Sequence, residues 1–544
     1  MRIPIDRGSR QPLYRQIAAQ LRAGILSGAI AAGSRLPATR RLAADLGVNR
    51  LTIESAYAEL RADGLIAGRI GSGTRVLPRL PFPAPPARRE PASWPLWQQE
   101  LRPGLPRPGG RLPEEVAAGA RAGREGETID FGFGSGDPRL FPVDDFRRLL
   151  HAVLKRDGIQ ALGYGEHQGH APLREAIARV LASQGLPAGV DDVIVTSGSQ
   201  QAIALVAQLL LGPGDVVLTE SPTYGGALDL FRSLAVRVIG VPADARGLPV
   251  EDLEPVLQTH HPKLIYTIPD FHNPTGACLD GDRRRLLLEL ADRYNVPLLE
   301  DDFVGDLRYE GRALPALKAL DAGGRVIYVS TFSKMLMPGL RVGFLVADGP
   351  VRARLVERKR VNDLATSNPL QRALEAYVTV GRYETHLRRS CRRYRRRRDA
   401  MTGAIRRCLP AGVRFDVPRG GLFLWLRLPD GMDSGRLLAA ARPLGVSFAP
   451  GARFFPDPAD GAPYLRLNFA AWQEEKIAEG IRRLGEAFRQ AERRPARTTT
   501  PATGTGSSRR SVSGRSSNRD RRSALSRPSR GAADTGRTSR DRTR

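Results

Sequence analysis

Cysteine is nearly absent, with only Cys278, Cys391 and Cys408 in 544 residues. Three thiols so far apart make neither a disulfide framework nor a clustered thiolate site, so no metal is expected. No apolar run approaches the ~18 residues that span a bilayer. The start, Met1-Arg2-Ile3-Pro4, has no signal-peptide core. The expectation is a cytoplasmic chain with no membrane partner. Lysine is scarce too: six residues against 78 arginines, within a net charge of +27. Such a balance suits an anionic partner. It is uneven, however. The stretch from Arg493 to Arg544 has 15 Arg and 3 Asp.

Composition divides the chain into four expected segments: a small module over 1–76, a linker over 77–128, a large body over 129–491 and a disordered basic tail over 492–544. From Leu77 to Pro113 there are 11 prolines in 37 residues, a density that excludes helix and favours a semi-rigid spacer. The tail holds almost no large apolar side chain, so it cannot build a core. The body has short β-branched runs between helical patterns: Val193–Thr196, Val216–Thr219, Val236–Val241, Leu264–Ile268, Pro297–Glu300, Val326–Ser330 and Val342–Val346. Strands without polar alternation are buried on both faces, as in a mostly parallel sheet covered by helices. A seven-stranded α/β sheet with a small α+β domain is expected. Ligands of such sheets bind beyond the strands' carboxyl ends. Eight arginines within Arg388–Arg398 read either as a solvated helix or as a secondary phosphate contact.

In the first module, Leu13, Ile17, Leu21 and Ile25 share one helix face. Thr39 can cap a second helix that Gly47 ends, and Asn49 can cap a third whose buried face is Ile53, Ala56, Tyr57 and Leu60. Two short helices about a glycine turn read as a helix-turn-helix, or as a plain αα-hairpin. Gly64-Leu65-Ile66, Gly71-Ser72-Gly73-Thr74 and Arg75-Val76 read as a two-stranded wing. Arg50, Thr52 and Ser55 face outward at the start of the third helix, beside Asn49, where a recognition helix reaches base edges. Arg40 and the wing tip at Gly73 would meet phosphates. The series Leu36-Pro37-Ala38-Thr39-Arg40, Asn49-Arg50-Leu51-Thr52, Ala56-Tyr57, Leu60 and Asp63-Gly64-Leu65 resembles the GntR-family winged helix. That resemblance implies a double-stranded DNA operator. Leu51 departs from the small hydroxyl residue frequent at its place.

The scarcity of lysine makes Lys334 conspicuous, in Ser330-Thr331-Phe332-Ser333-Lys334 followed by Pro338-Gly339-Leu340-Arg341. A chain that writes nearly every cation as arginine keeps a lysine where it needs an amine. An amine condenses with an aldehyde to a Schiff base, and a guanidinium does not. This points to pyridoxal 5'-phosphate, which also needs an acid at its ring nitrogen, a donor to its phenolate oxygen, a stacking ring and a phosphate cup. Asp301 is the candidate acid, or a helix cap in an acidic turn. Asn273 in His272-Asn273-Pro274-Thr275-Gly276 is the donor, or an Asx-type turn. Tyr224 stacks, or merely packs. Gly198-Ser199-Gln200, between a strand and a helix, offers N–H groups to a phosphate. Thr331, Ser333 and Arg341 add hydroxyls and a guanidinium. Lys334 itself reads otherwise as a surface lysine.

These motifs, with Tyr164, Gly169, Leu173-Arg174, Gly420-Gly421-Leu422 and Leu465-Arg466-Leu467, resemble the fold-type I pyridoxal-phosphate aminotransferases over roughly residues 130–490. The resemblance implies a homodimer, with Tyr164 reaching the neighbouring subunit's cofactor phosphate and Arg466 holding a carboxylate. Phe303 departs from the tyrosine that many relatives carry shortly after the aspartate, so one hydrogen bond to the cofactor oxygen is expected to be missing. The whole order resembles the MocR-type regulators, and it implies a body that senses the cofactor or a small amino or carboxylate effector. A working transaminase carrying a DNA anchor stays open beside it.

Overall fold

The computed structural model describes residues 3–9, 11–69, 73–77 and 128–493. The expected linker, from residue 78, and the expected tail, from residue 494, lie outside the described residues. The chain forms two compact units, one N-terminal and one C-terminal.

In the N-terminal unit, α1 (Leu13–Leu26), α2 (Thr39–Leu46) and α3 (Arg50–Ala62) precede an antiparallel hairpin of β1 (Ile66–Arg69) and β2 (Gly73–Val76). Ile17, Ala18 and Leu21 of α1 pack with Leu42, Ile53, Ala56, Tyr57 and Leu60, all buried, as helical spacing requires. Buried Gln16 is satisfied: its amide donates to the carbonyls of Asp6 and Gln11 at 2.9 and 2.8 Å. Arg22 ties α1 to α3 through Glu59 and Asp63. Gly47 ends α2 at φ 58°, and the Asn49 side chain caps α3 by accepting from the Leu51 N–H at 2.9 Å. Thr39 does not cap α2. Ala38 holds the extended N-cap conformation, φ −59° and ψ 143°, so Thr39 is already inside the helix and caps nothing.

The C-terminal unit starts with β3 (Ile129–Asp130). Its main sheet has β4 (Val193–Thr196), β5 (Val216–Ser221), β6 (Arg237–Pro242), β7 (Leu264–Thr267), β8 (Leu298–Asp302), β9 (Val326–Thr331) and β10 (Gly343–Val346). The order is β4-β10-β9-β8-β7-β5-β6, and only β10 runs antiparallel to its neighbours. Adjacent residues of one strand enter different hydrophobic clusters. Val217, Tyr266 and Leu299 join one, while Leu218, Ile265 and Leu298 join the other. Both faces are therefore covered, which is why the runs lack polar alternation. A smaller antiparallel sheet combines β11 (Phe423–Arg427), β13 (Ala449–Pro450) and β14 (Tyr464–Asn468), and β12 (Val446–Ser447) pairs with β3.

The arginine-rich run lies on the 27-residue helix Arg382–Cys408. Two of its arginines are not solvated. Arg397 donates to the Ala470 carbonyl at 2.6 Å and to Asp137 at 2.8 Å. Arg398 donates to the Pro418 carbonyl and to Glu310. Both point inward because the register of Tyr383, His386, Tyr394 and Met401 sets the buried face of the helix.

Candidate cofactor and nucleic-acid sites

Two candidates, Asp301 and Lys334, gather at the carboxyl ends of the parallel strands. Asp301, on β8, is buried, and its Oδ2 accepts from the Tyr266 phenol of β7 at 2.7 Å. Oδ1 is buried and accepts no hydrogen bond among the described residues. Burial raises the Asp301 carboxyl and outweighs the Tyr266 bond and the charge of Lys334, which lower it, so that it stands at about 6. Lys334 follows β9 in the next turn, and its Nζ lies 3.6 Å from where a side chain on Gly134 would begin.

A second group surrounds the start of the helix Ser199–Leu210. Gly198 has φ 96°, and any Cβ there would meet Arg341 Nη2 at 2.6 Å. A Cβ on Gly343 would meet the Ser199 nitrogen at 2.8 Å. These two glycines let the turn, β10 and the guanidinium converge. Arg341 donates to the Ser197 carbonyl at 2.7 Å and to Ser333 Oγ at 3.4 Å, and Thr331 Oγ1 accepts from the Ser333 N–H. Gly198, Ser199, Thr331, Ser333 and Arg341 therefore form one cluster of N–H, hydroxyl and guanidinium groups. Gln200 turns away, toward the phenol of Tyr224, which donates to it at 3.0 Å.

Arg466, on β14, is buried; it donates to Asn273 Oδ1 at 2.9 Å and to the Gly132 carbonyl at 3.0 Å. Its guanidinium stacks on Phe423 at 3.9 Å and on Phe454 at 4.8 Å, a cation–π arrangement. Phe303 lies against Phe423, with centroids 6.4 Å apart. The position that departs from the family pattern thus contributes to an apolar wall. Behind Asn273, His272 Nε2 and Glu220 Oε2 face each other at 4.0 Å, both buried and neither hydrogen-bonded among the described residues. Burial lowers His272 to about 3 and raises Glu220 to about 7, so the pair favours neutral forms. For Glu220 the folded value stands above the ordinary 4.5. Its contribution to stability is therefore fully present below pH 4.5 and lost as pH rises through about 7. Glu220→Gln is expected to flatten the fall in melting temperature across that window. An unchanged pH profile of melting would refute it.

Tyr164 joins neither group. It is 88% exposed, next to Ile159 and Leu162, which are 85% and 69% exposed. In the N-terminal unit, Arg40, Arg50 and Ser55 are exposed, whereas Thr52 is half-buried. Arg50 pairs with Glu54 at 2.7 Å. The Asn49 side-chain oxygen is already used by the α3 cap. Gly73, at φ 78°, carries the Arg35 guanidinium across the wing, where a Cβ would meet Arg35 Nη2 at 2.9 Å. The wing tip at 70–72 lies outside the described residues. Leu51 is 67% exposed at the start of α3. Sequence reasoning overlooked Tyr266, which reads as an ordinary strand residue, and Arg35, which has no motif. Phe423 and Phe454 read only as core.

A lysine, a buried carboxylate and an anion cradle at one edge of a seven-stranded sheet, faced by a buried guanidinium from the smaller sheet, are the features of a class I and II aminotransferase fold. Residues 128–484 match the family model "Aminotransferase class I and II", and residues 13–76 match "Bacterial regulatory proteins, gntR family". The "Probable rhizopine catabolism regulatory protein MocR" of Rhizobium meliloti is 34% identical over 89% of this chain and 95% of that protein. Aromatic-amino-acid aminotransferase 1 of Thermococcus litoralis is 38% identical over 67% of this chain and 88% of its own length. The structure of LysN, the alpha-aminoadipate aminotransferase of Thermus thermophilus, complexed with N-(5'-phosphopyridoxyl)-L-leucine, superposes with a TM-score of 0.66. It is 35% identical, and the match covers 73% of this chain and 99% of that one. The chain belongs to the MocR-type regulators, in which a GntR-family winged helix is fused to an aminotransferase-fold body. No helix among the described residues is long and apolar enough to cross a membrane.

Proposed function

We propose that this chain is a cytoplasmic transcriptional regulator whose body binds pyridoxal 5'-phosphate and converts that binding, alone or with an amino or carboxylate effector, into a change of DNA affinity. The observation that carries the reading is the buried Asp301 Oδ1, left without a hydrogen bond at the strand ends of a chain that also holds a DNA-reading module. An N–H of a protonated ring nitrogen satisfies that oxygen, so the residues fit the cofactor. When bound, the cofactor supplies an aldehyde and an electron-accepting ring. Lys334 Nζ is the amine that attaches it. Asn273 directs its amide to the phenolate oxygen, Tyr224 covers the ring, and Gly198, Ser199, Thr331, Ser333 and Arg341 hold the phosphate. Gln200 supports this cradle by fixing Tyr224. Arg466 takes the effector's carboxylate, with Phe423 and Phe454 fixing its plane.

The exposed apolar set Ile159, Leu162 and Tyr164 supports a homodimer in which Tyr164 completes the neighbouring subunit's phosphate cup. In the reader, spanning 1–76, Arg50, Thr52 and Ser55 face base edges and Asn49 sets the start of their helix. Arg40 and Gly73, the latter through Arg35, meet phosphates. Leu51 offers an apolar contact to a thymine methyl. Residues 77–128 connect reader and body (129–491), and 492–544 form a polyanion-binding tail. Cofactor can alter DNA affinity only by binding one arrangement better than another, which is a coupling free energy.

The retained Lys334, Asp301, Asn273 and Arg466 favour a second reading, a working transaminase. Binding to a duplex from upstream of the gene, titrated with the cofactor, is measured beside turnover of an amino donor with a keto acid. A cofactor-dependent change in affinity supports the regulator. Steady turnover without any such change replaces it with the enzyme.

A further inference from the structure

The exposed side of the helix Arg382–Cys408 has no role in the site described above. Nine of its arginines are exposed, against two exposed acids, Glu384 and Asp399. Arg382, Arg395 and Arg396 pair with Asp145, Glu310 and Glu474. Arg388, Arg389, Arg392, Arg393, Arg406 and Arg407 have no carboxylate within ion-pair reach among the described residues. Elsewhere most arginines of the body have a carboxylate partner. Arg283 holds Asp244 and Glu251, and Arg284 holds Asp270. The excess on this helix is therefore local and does not follow from arginine-rich composition alone. At 3.6 residues per turn, Arg389, Arg392, Arg393 and Arg407 fall within an arc of about 100°. From Arg382 to Arg407 the cationic face extends about 37 Å, close to the roughly 34 Å of one turn of duplex DNA.

We infer that this face is a second, sequence-independent contact with the phosphate backbone of the DNA that the winged helix reads. The inference rests on the DNA-binding reading. Guanidinium groups without an internal carboxylate exchange hydration for phosphate and release counterions from the duplex. The opposite face of the helix is anchored by buried Arg397 and Arg398, so the rail is held rigidly.

The test measures the salt dependence of binding by the full-length protein to two duplexes, one of random sequence and one from upstream of the gene. Wild type is compared with a protein carrying Arg389→Gln, Arg392→Gln, Arg393→Gln and Arg407→Gln, and with its Lys counterpart. Each lost phosphate contact lowers the slope of log affinity against log salt by about 0.9. The Gln protein should lose about 2 to 4 from that slope on both duplexes, and the Lys protein should keep it, with unchanged melting temperatures. An unchanged slope in the Gln protein overturns the inference, as does an equal loss in the Lys protein. Loss of binding to anionic phospholipid vesicles with an intact DNA slope assigns the face to a lipid surface and also overturns it. If wild type binds neither duplex, the DNA-binding reading fails with it.

Discussion

Lys334→Ala protein is expected to bind the upstream duplex as wild type does without cofactor, but to lose all response to added pyridoxal phosphate. Borohydride reduction followed by mass measurement should find the cofactor attached to wild type alone. The side chain is only half-buried, so its truncation leaves no large cavity and the fold persists. Lys359 is ion-paired to Asp363, and Lys318 to Asp348. Lys334→Arg separates amine from charge, because a guanidinium keeps the cation near Asp301 but forms no bond to the aldehyde. It should fail as completely as the alanine protein. A Lys334→Ala protein whose DNA affinity still shifts with cofactor would mean that non-covalent occupancy is the signal, and the attachment role would fall.

Much of this site was legible because chemistry concentrates where strands end. The run Pro297–Glu300 placed Asp301 at a strand terminus, and the run Val326–Ser330 did the same for Thr331 and Lys334. A parallel sheet then brings both to one edge, however far apart they are in sequence. The winged helix was legible because Gly47 and Asn49 are local signals whose action spans a few residues. What stayed hidden depends on register between distant segments. Tyr266 meets Asp301 only because β7 and β8 are adjacent. Arg466 is sandwiched because β14 lies beside β11, which carries Phe423. Arg397 and Arg398 read as part of a solvated or phosphate-contacting run, since a run of arginines does not reveal which turn of its helix meets Asp137 and Glu310. Thr39 misled because a capping residue type one position inside a helix reads like one at its boundary.

The second large effect concerns Asp301 and the phenol behind it. Asp301→Asn removes the charge that matches a protonated ring nitrogen while keeping a similar shape. A charge-assisted hydrogen bond in a buried site is worth about 1.5–3 kcal/mol, so cofactor affinity should fall roughly 10- to 150-fold. Tyr266→Phe acts through Asp301 and should have a different signature. The Tyr266 hydrogen bond favours the ionised carboxylate and works against burial, the larger effect, so that Asp301 stands at about 6. Without the phenol, the free protein's carboxylate holds its proton to higher pH. Cofactor affinity in wild type should therefore decline as pH falls through about 6, and in Tyr266→Phe the decline should begin at higher pH. Spectroscopic titration of cofactor binding across pH separates the two substitutions. Asp301→Asn should lower affinity at every pH and remove the break, whereas Tyr266→Phe should move the break and leave affinity at high pH close to wild type. A Tyr266→Phe profile with the wild-type break would show that the phenol only fills space between β7 and β8. A positioning role needs the shift, because loss of packing alone lowers affinity without changing which protonation state of Asp301 binds.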